Sequence, residues 1–280
     1  MIQWFPGHMA KAKREIRERL RLVDVVYELL DARIPAASRN PLLGDLLKNK
    51  PRLVLLMKAD LADPSQSQLW KRAFEKEGAM ALEVDAAEGF RREEIIRSTL
   101  EILKPKLEKA RERGLRARAL RAMVVGIPNV GKSTLINRLA RRKATRVADR
   151  PGVTRAQQWI RISGELELLD TPGVLWPKFD DEATGMHLAL TGAIRDEILE
   201  SERLGEYLLD FLKKHYPERL AERYGVGLEW GNAEIVEKIA RDRGFFQSDQ
   251  AEKAYDALLT DFRKNRLGRI TLDRFNGEEK

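Results

Sequence analysis

Short apolar runs alternate with helix-like amphipathic stretches along the first 170 residues of the 280-residue chain. Four runs have the length and apolar content of buried strands: Val23–Leu30, Arg52–Met57, Ala79–Val84 and Arg121–Val125. Two more runs, Gln158–Ile162 and Leu166–Leu169, predict a hairpin with its turn at Ser163-Gly164. Strands that alternate with helices predict an α/β fold with a doubly wound, mostly parallel sheet.

A long helix-like segment, Arg91–Arg113, separates the third and fourth runs and ends at Gly114, a residue typical of helix C-termini. After Pro177 the strand pattern stops, and helical periodicity takes over in the segments 182–193, 203–215, 217–224, 233–243 and 249–265. We therefore place a domain boundary near residue 178. The prediction is an α/β domain over residues 1–178 and an all-α domain over residues 179–280.

The composition excludes several classes of protein. A chain without cysteine has no disulfide and no Cys-ligated metal, and three histidines (His8, His187 and His215) disfavour a His-rich zinc site. No apolar run approaches the roughly 18 residues that a membrane-spanning helix needs. The N-terminal segment lacks the continuous apolar stretch of a secretory signal. We expect a cytoplasmic protein.

The net charge of +8 is concentrated in two segments. Arg138–Arg161 has eight basic residues and one acid, and Arg91–Arg121 has eleven basic and five acidic residues. Such clusters fit contact with a polyanion, of which the phosphate backbone of a nucleic acid is the usual example. A solvated helical face with intrahelical ion pairs explains the second cluster equally well, whereas the first is almost free of acids.

The segment from Gly126 to Ser133, Gly-Ile-Pro-Asn-Val-Gly-Lys-Ser, matches the phosphate-loop pattern G-x-x-x-x-G-K-[ST] completely. It follows the fourth apolar run and precedes a predicted helix, Thr134–Arg142, which is the context that the pattern requires. Backbone N–H groups and the helix N-terminus would bind phosphate oxygens there. Lys132 is expected to bridge the β- and γ-phosphates, and Ser133 to ligate Mg²⁺. The predicted nucleotide contacts of this loop are Asn129, Val130, Gly131, Lys132, Ser133 and Thr134.

A second phosphate-related pattern, D-x-x-G, ends the sixth run. The apolar strand that finishes at Asp170 continues into Thr-Pro and Gly173. Asp170 would hold Mg²⁺ through its coordination shell, and the Gly173 amide would contact the γ-phosphate. Thr154, in a basic segment between the two patterns, is the candidate switch residue that contacts Mg²⁺ and the γ-phosphate. An ordinary turn at Thr154 is the alternative.

The second run leads into Met57-Lys58-Ala59-Asp60, which is similar to the guanine-specificity pattern N-K-x-D with Met in place of Asn. Asp60 can accept two hydrogen bonds from guanine's N1–H and exocyclic amine, which adenine does not offer. Lys58 would lay its aliphatic stem over the base. The third run ends at Asp85-Ala86, where GTPases usually have Ser-Ala, whose backbone amide reads the guanine O6. These residues predict a guanine site, from whose usual pattern Met57 and Asp85 depart.

The patterns occur in permuted order. In ordinary GTPases the phosphate loop, switch Thr and D-x-x-G precede N-K-x-D and Ser-Ala, whereas here the last two come first. A circular permutation explains this order because domain termini often lie close together, and residues 91–121 would then bridge the former ends. We hypothesise that γ-phosphate sensing at Gly173 repositions the C-terminal helices. Identical hydrogen-exchange profiles of residues 178–280 with GDP and with a GTP analogue would contradict this hypothesis.

With these motifs assembled, the chain resembles the circularly permuted ribosome biogenesis GTPase A family (YlqF) over nearly its whole length. The matching blocks are Gln3–Lys11, Asp31–Pro35, Ser38–Pro41, Gly126–Arg138, Asp149–Gly152, Leu166–Pro177 and His215–Arg219. The resemblance implies GTP hydrolysis coupled to late assembly of the large ribosomal subunit. It also implies that the basic surface and the helical C-terminal domain contact rRNA.

The residue after Gly173 is Val174, which cannot orient the attacking water as the Gln of many GTPases does. The resemblance to GTPases with a hydrophobic residue there implies that another group does so. His8 is our candidate, and a histidine that merely packs or contacts RNA is the alternative. Asn129 resembles the asparagine that ligates K⁺ in cation-dependent GTPases, where K⁺ would supply positive charge. The predicted catalytic residues are His8, Lys132, Thr154 and Gly173, with GTP or GDP, Mg²⁺ and the candidate ion K⁺ as ligands.

Three alternatives stay open. Met57 favours an ATPase or an NTPase of relaxed base specificity, which competition among ATP, GTP and XTP would distinguish. Val174 favours an RNA-binding checkpoint that senses GTP with little hydrolysis. The basic segment 10–21 suggests a membrane-surface GTPase, but it lacks the bulky apolar face of such helices. We expect the large ribosomal subunit and its rRNA as partners, and neither a membrane nor DNA.

Overall fold

The chain folds around one mixed sheet. The computed structural model describes residues 14, 16–47, 50–85, 89–114, 118–141, 158–170, 181–194, 199–227 and 229–275. In these residues six strands form the sheet, in the order β3-β2-β1-β4-β6-β5. The strands are β1 (Val25–Asp31), β2 (Arg52–Met57), β3 (Met80–Val84), β4 (Leu120–Gly126), β5 (Gln158–Arg161) and β6 (Leu166–Asp170).

Helices connect most of the strands and make up most of the described chain after β6. Within the sheet-bearing part they are α1 (Pro41–Leu47), a 3₁₀ helix (Ala59–Leu61), α2 (Pro64–Lys76), α3 (Arg92–Glu112) and α4 (Lys132–Ala140). After β6 they are α5 (Glu182–Leu190), α6 (Ser201–His215), α7 (Pro217–Tyr224), α8 (Asn232–Asp242) and α9 (Gln250–Arg263). None of the helices formed by described residues combines the length and the apolar character needed to cross a bilayer.

β4 lies at the centre of the sheet. It pairs in parallel with β1, where Val25 lies opposite Ala122, and with β6, where Leu120 lies opposite Leu166. β5 is antiparallel to β6 and ends the sheet on that side. The predicted α/β fold with a mostly parallel sheet is confirmed.

Apolar side chains cover both faces of the sheet, as in a doubly wound fold. In β1, Tyr27 and Leu29 belong to one buried cluster, together with Ile95 of α3. Val26 points to the opposite face, where it packs in a second cluster with Leu47 of α1. Because every residue of β1 is buried, its sequence is a nearly continuous apolar run instead of an alternating one.

α3 carries the chain from the edge strand β3 back to the central strand β4. Its residues Ile95, Thr99 and Leu103 are buried, and Thr99 Oγ1 lies 2.6 Å from the hydroxyl of Tyr27 on β1. Most of the segment predicted to bridge the former chain ends is therefore a helix that packs on the sheet, which is consistent with a circular permutation.

The C-terminal helices pack on the sheet-bearing part as well as on one another. One continuous cluster of buried side chains includes Val124 of β4, Leu208 of α6 and Leu258 of α9. The boundary predicted near residue 178 falls outside the described residues. The division into two domains therefore stays a prediction.

The end of the described chain returns to the sheet-bearing part. We call residues 268–275 the C-terminal strap. The Ile270 N–H donates to the carbonyl of Leu61 at 3.1 Å, and the Leu272 N–H donates to the carbonyl of Arg33 at 2.7 Å. The strap therefore binds the loops that follow β1 and β2.

Candidate nucleotide-binding site

The phosphate-loop sequence forms a tight turn between β4 and α4. Gly126 ends β4 against β1, where a Cβ would lie 2.7 Å from the carbonyl oxygen of Leu29, so glycine is the residue that fits. Asn129 and Gly131 have φ angles of 57° and 106°, a region that glycine adopts freely and asparagine tolerates. These angles turn the chain sharply before α4 begins at Lys132.

The Lys132 ammonium lies inside this turn. Its Nζ donates to the carbonyl of Ile127 at 2.7 Å and to that of Gly126 at 3.1 Å, and the residue is 8% exposed. The N-terminus of α4 begins at Gly131, so the positive end of the helix dipole lies at the same loop. A buried ammonium beside a helix N-terminus favours the binding of an anion such as phosphate.

Two of the predicted magnesium ligands lie on elements that end at the same edge of the sheet. Ser133 is a half-buried residue in the first turn of α4, which begins after the phosphate loop that follows β4. β6 runs parallel to β4 and ends at Asp170. Hydroxyl and carboxylate oxygens are the donors that Mg²⁺ prefers, so the chemistry of this pair fits the ion. The other predicted ligand, Thr154, and the γ-phosphate sensor Gly173 lie outside the described residues.

The phosphate loop is hydrogen-bonded to the helical half of the chain. Asn129 Nδ2 donates to the carbonyl of Gly192, in the turn after α5, at 2.8 Å. Val130, the next loop residue, is 1% exposed and Thr134 is half-buried in α4. The loop and the turn after α5 are therefore in direct contact, while the role of Asn129 toward K⁺ stays a prediction.

The base motif begins where β2 ends. Lys58 has a left-handed backbone conformation (φ 58°) that turns the chain into the 3₁₀ helix. Its Nζ donates to Asp31 Oδ2 at 2.9 Å, and Arg33 donates to both oxygens of the same carboxylate at 2.9 and 2.8 Å. Burial alone would raise the pKa of the Asp31 carboxyl, but Arg33 and Lys58 hold it well below its usual range. This ion cluster fixes Lys58 at the carboxyl end of β2.

Met57 takes the place of the asparagine of N-K-x-D and is 1% exposed. Its Cε lies 3.3 Å from the position that a Cβ on Gly131 would occupy. The side chain therefore joins β2 to the phosphate loop by apolar packing, and it contributes no polar group that could read a base.

Asp60 and Asp85 face one cavity of about 480 Å³ beside the ends of β2 and β3. Lys71 of α2, Arg91 and Arg269 of the C-terminal strap also line this cavity. Burial, and then the nearby Asp85 carboxylate, raise the pKa of Asp60. The structure brings Asp60 and Asp85 together at this cavity, and Lys58 lies two positions before Asp60. Ala86, the fourth predicted base-site residue, lies outside the described residues.

Known proteins are similar to this chain in sequence and in fold. Residues 121–215 match the family model described as 50S ribosome-binding GTPase. The ribosome biogenesis GTPase A of Bacillus licheniformis is 48% identical over 98% of each chain, and that of Priestia megaterium is 49% identical over 97% of this chain and 96% of its own. The chain belongs to the ribosome biogenesis GTPase A family. A crystal structure of GNP-bound YlqF from T. maritima is similar with a TM-score of 0.66 and 29% identity, over 94% of this chain and 98% of that one.

Membership in the ribosome biogenesis GTPase A family agrees with the arrangement of the motifs around the sheet. The strands β2 and β3, which lead to the base motifs, lie on one side of β1 and β4, and the D-x-x-G strand β6 lies on the other. The permuted motifs therefore meet at one end of a single sheet. Membership supports GTPase activity and the binding of GTP and GDP, typically with Mg²⁺.

Our sequence reasoning assigned no role to three charged residues near the base site, Asp31, Arg33 and Arg269. A carboxylate at the end of a buried parallel strand is a detectable signal, because ligands bind at that edge of such sheets, so Asp31 could have been found. No local pattern marks Arg269, which comes close to Asp60 only through the fold.

The basic segment 91–121 is partly neutralised within the protein. Lys106 and Arg118 both donate to Asp24 Oδ1, and Lys104 forms an intrahelical pair with Glu108. The Lys104–Glu108 pair is of the intrahelical kind that the alternative interpretation expects, whereas Lys106 and Arg118 pair with a buried carboxylate outside the segment. Residues 142–157 of the other basic segment lie outside the described residues, and so does His8.

Proposed function

We propose that the chain is a cytoplasmic, GTP-hydrolysing assembly factor that acts late in the maturation of the large ribosomal subunit. It docks on rRNA in a nucleotide-dependent manner, with residues 179–280 as a helical RNA-binding domain, and leaves after hydrolysis. The observation that carries the proposal is the buried Lys132 ammonium inside a phosphate loop. The proposal is also supported by 48% identity to a protein named ribosome biogenesis GTPase A.

The phosphate loop and the D-x-x-G strand supply the groups that bind the reacting phosphates in this proposal. Lys132 bridges the β- and γ-phosphates, and the backbone amides of residues 129–134 bind their oxygens. Ser133, Thr154 and Asp170 hold Mg²⁺, which neutralises charge on the phosphate oxygens when bound. The Gly173 amide contacts the γ-phosphate.

The attacking water needs a polar group, which Val174 lacks. We assign this role to His8, and we assign the supply of additional positive charge to K⁺ held by Asn129. Because Asn129 Nδ2 donates to the Gly192 carbonyl, the amide oxygen is the atom with which Asn129 would bind the cation.

Asp60→Asn tests whether this carboxylate reads guanine. The new amide would offer a donor where the exocyclic amine of guanine needs an acceptor, so GDP binding should weaken by roughly 10- to 100-fold. XDP, which has an acceptor at the corresponding edge, should bind better than it does to the unaltered protein. Competition of GDP, XDP and ADP against a labelled nucleotide measures both effects.

Glu83→Gln is the matched control for this variant, because Glu83 lines the same cavity on β3. We expect its base preference to be that of the unaltered protein. A base preference that Asp60→Asn leaves unchanged would contradict the assignment of Asp60 and favour an NTPase of relaxed specificity.

GTP turnover in K⁺, with and without purified large ribosomal subunits, tests the function as a whole. We expect stimulation by the subunits, and loss of that stimulation in His8→Ala with nucleotide binding retained. Turnover that the subunits leave unchanged would favour a checkpoint protein that senses GTP. Full stimulation of His8→Ala would exclude the catalytic role of His8.

The same turnover measured in Na⁺ tests the role of Asn129. Equal rates in Na⁺ and K⁺ would exclude the role of Asn129 as a K⁺ ligand.

A further inference from the structure

The C-terminal strap runs along the base motif. Ile270 donates its N–H to the carbonyl of Leu61, the last residue of the 3₁₀ helix that contains Asp60, at 3.1 Å. Thr271 Oγ1 accepts the N–H of Asp63 at 3.1 Å. These two bonds hold the strap against the backbone that follows Asp60, so the residue before Ile270 is fixed relative to the base site.

That preceding residue is Arg269, and the turn before it leaves little freedom. Gly268 has a φ of +79°, and a Cβ there would lie 2.6 Å from Arg219 Nη1 of α7. Leu267, one residue earlier, is 2% exposed and Ile270 is 1% exposed. Buried residues on both sides therefore hold the exposed Arg269 at the cavity that it lines with Asp60 and Asp85.

The two carboxylates at this cavity repel each other. Burial and the charge of Asp85 raise the pKa of Asp60, whereas the charges of Arg269 and Arg33 act in the opposite direction. A carboxyl group accepts hydrogen bonds from both guanine N1–H and the exocyclic amine when it is ionised. When it is protonated, one of its oxygens becomes a donor and the pair of bonds is lost.

We propose that Arg269 is a specificity-determining residue of the base site, whose guanidinium offsets the charge of Asp85 beside the base-reading Asp60. The proposal rests on the proposed function, because Asp60 must read guanine for the offset to matter. It explains how Asp85 can occupy the position where GTPases usually have an uncharged serine. It also makes the strap, the last segment of the helical half, a component of nucleotide recognition.

The charge balance around Asp60 predicts how nucleotide binding depends on pH. The charged groups that act electrostatically with Asp60 are Asp85, Arg269, Arg33 and Lys58, and the other charged side chains that line the cavity are Lys71, Glu83, Arg91 and Glu94. Guanine binding should decline as the pH falls through the pKa of Asp60. Removing the Arg269 charge should move this decline to higher pH, and removing the Asp85 charge should move it to lower pH.

A double-mutant cycle between these two charges tests the proposal. We would titrate fluorescent GDP into the unaltered protein, Arg269→Ala, Asp85→Ser and the double variant between about pH 5 and 8. Arg269→Ala should weaken GDP binding at neutral pH by about two- to fivefold, the size expected for a partly exposed charge pair. When Arg269→Ala is introduced into the Asp85→Ser variant, the change in the logarithm of the Kd for GDP should be less than half of the change seen in the unaltered protein.

Two further variants separate charge from structure. Arg269→Lys keeps the positive charge, so its GDP affinity should be close to that of the unaltered protein and higher than that of Arg269→Ala. Lys264 is an exposed cation five positions away, and Lys264→Ala should leave GDP affinity unaltered. Circular dichroism and thermal melting check that each variant folds. If Arg269→Ala does not fold, Arg269→Gln, which keeps a long polar side chain without the charge, takes its place in the cycle: a decline that stays at the original pH in that variant would overturn the proposal.

The outcomes distinguish this inference from the proposed function. If Asp60→Asn shifts preference to xanthine while Arg269→Ala leaves affinity and pH profile unaltered, the role of Arg269 is wrong and the guanine site stands. Equal effects of Arg269→Ala in both backgrounds would also overturn the proposal. If Asp60→Asn leaves base preference unchanged, the guanine-reading role of Asp60 fails, and the role of Arg269 fails with it.

Discussion

A single missing side chain, that of Gly126, lets β4 approach β1 at the phosphate loop. A Cβ in Gly126→Ala would lie 2.7 Å from the carbonyl oxygen of Leu29. Separating the two backbones should cost about 1–3 kcal/mol of unfolding free energy and weaken nucleotide binding. Urea unfolding measures the first effect and nucleotide titration the second.

Gly164→Ala is the matched control for this prediction. Gly164 lies between β5 and β6, and a Cβ there meets no described atom within 4 Å. We expect a change in unfolding free energy below about 0.5 kcal/mol. Equal losses of stability in the two variants would contradict the steric argument for Gly126.

The residues that the sequence predicts at the site are those whose chemistry is part of a local pattern. Lys132 belongs to the phosphate loop and Asp60 to a form of N-K-x-D, and both patterns span only a few consecutive positions. The contact of Lys58 with Asp31, and the approach of Arg269 to the base site, depend instead on contacts between distant parts of the chain. Hydrophobic periodicity gives no information about such contacts, which is why our sequence reasoning did not find them.

The helix α3 connects the two halves of the permuted sheet. Tyr27→Phe should reduce the unfolding free energy by about 1 kcal/mol, because it removes the buried hydroxyl contact between β1 and Thr99 of α3. The double variant with Thr99→Val should lose less than the sum of the two single variants. Strict additivity in chemical unfolding would show that the two hydroxyls do not interact.

The strands and the long helices were predictable because their cores are apolar at regular spacing. The observed bounds of β2 and α7 are those that the sequence predicts, and α6 begins at Ser201, two residues before its predicted start. The 3₁₀ helix Ala59–Leu61 was not predicted. It depends on the left-handed conformation of Lys58 and on the hydrogen bond from the strap, and neither leaves a periodic signal.

Several helical segments of the C-terminal half meet at one carboxylate. Asp261 of α9 is fully buried. It accepts hydrogen bonds from Arg223 of α7, from Arg243 after α8 and from Arg266 after α9. The Tyr224 hydroxyl lies 3.2 Å from the same carboxylate. This cluster holds the helices together by charge-assisted bonds in addition to apolar packing.

The pH dependence of stability should reflect this cluster. Burial alone would raise the pKa of Asp261, but Arg223, Arg266 and Arg243 hold it below its ordinary value. The stabilisation is therefore present above the unfolded carboxyl pKa, near 3.9, and is lost as the pH falls through the lower folded value. Asp261→Asn should reduce the free energy of unfolding by about 2–3 kcal/mol at neutral pH. The free energy of unfolding of this variant should also decrease less than that of the unaltered protein as the pH falls.

Asp256→Asn, an exposed position on the same helix, is the control for Asp261→Asn. We expect it to change the unfolding free energy by less than about 0.5 kcal/mol at neutral pH. Denaturant unfolding at a series of pH values compares the variants. A stability loss in Asp261→Asn that does not shrink as the pH falls below about 4 would contradict the role of the carboxylate charge.

Translation produces β1, β2 and β3 before β4, the strand that lies between β1 and β6 in the finished sheet. Until β4 emerges, β1 is an open edge strand whose residues are all buried in the native protein. Such an edge can pair with another chain, and parallel pairing across a long connection forms slowly. The nascent chain should therefore be most prone to aggregation between the completion of β3 and that of β4. β4, the strand that leads into the phosphate loop, thus also covers the open edge of β1 and prevents its pairing with another chain.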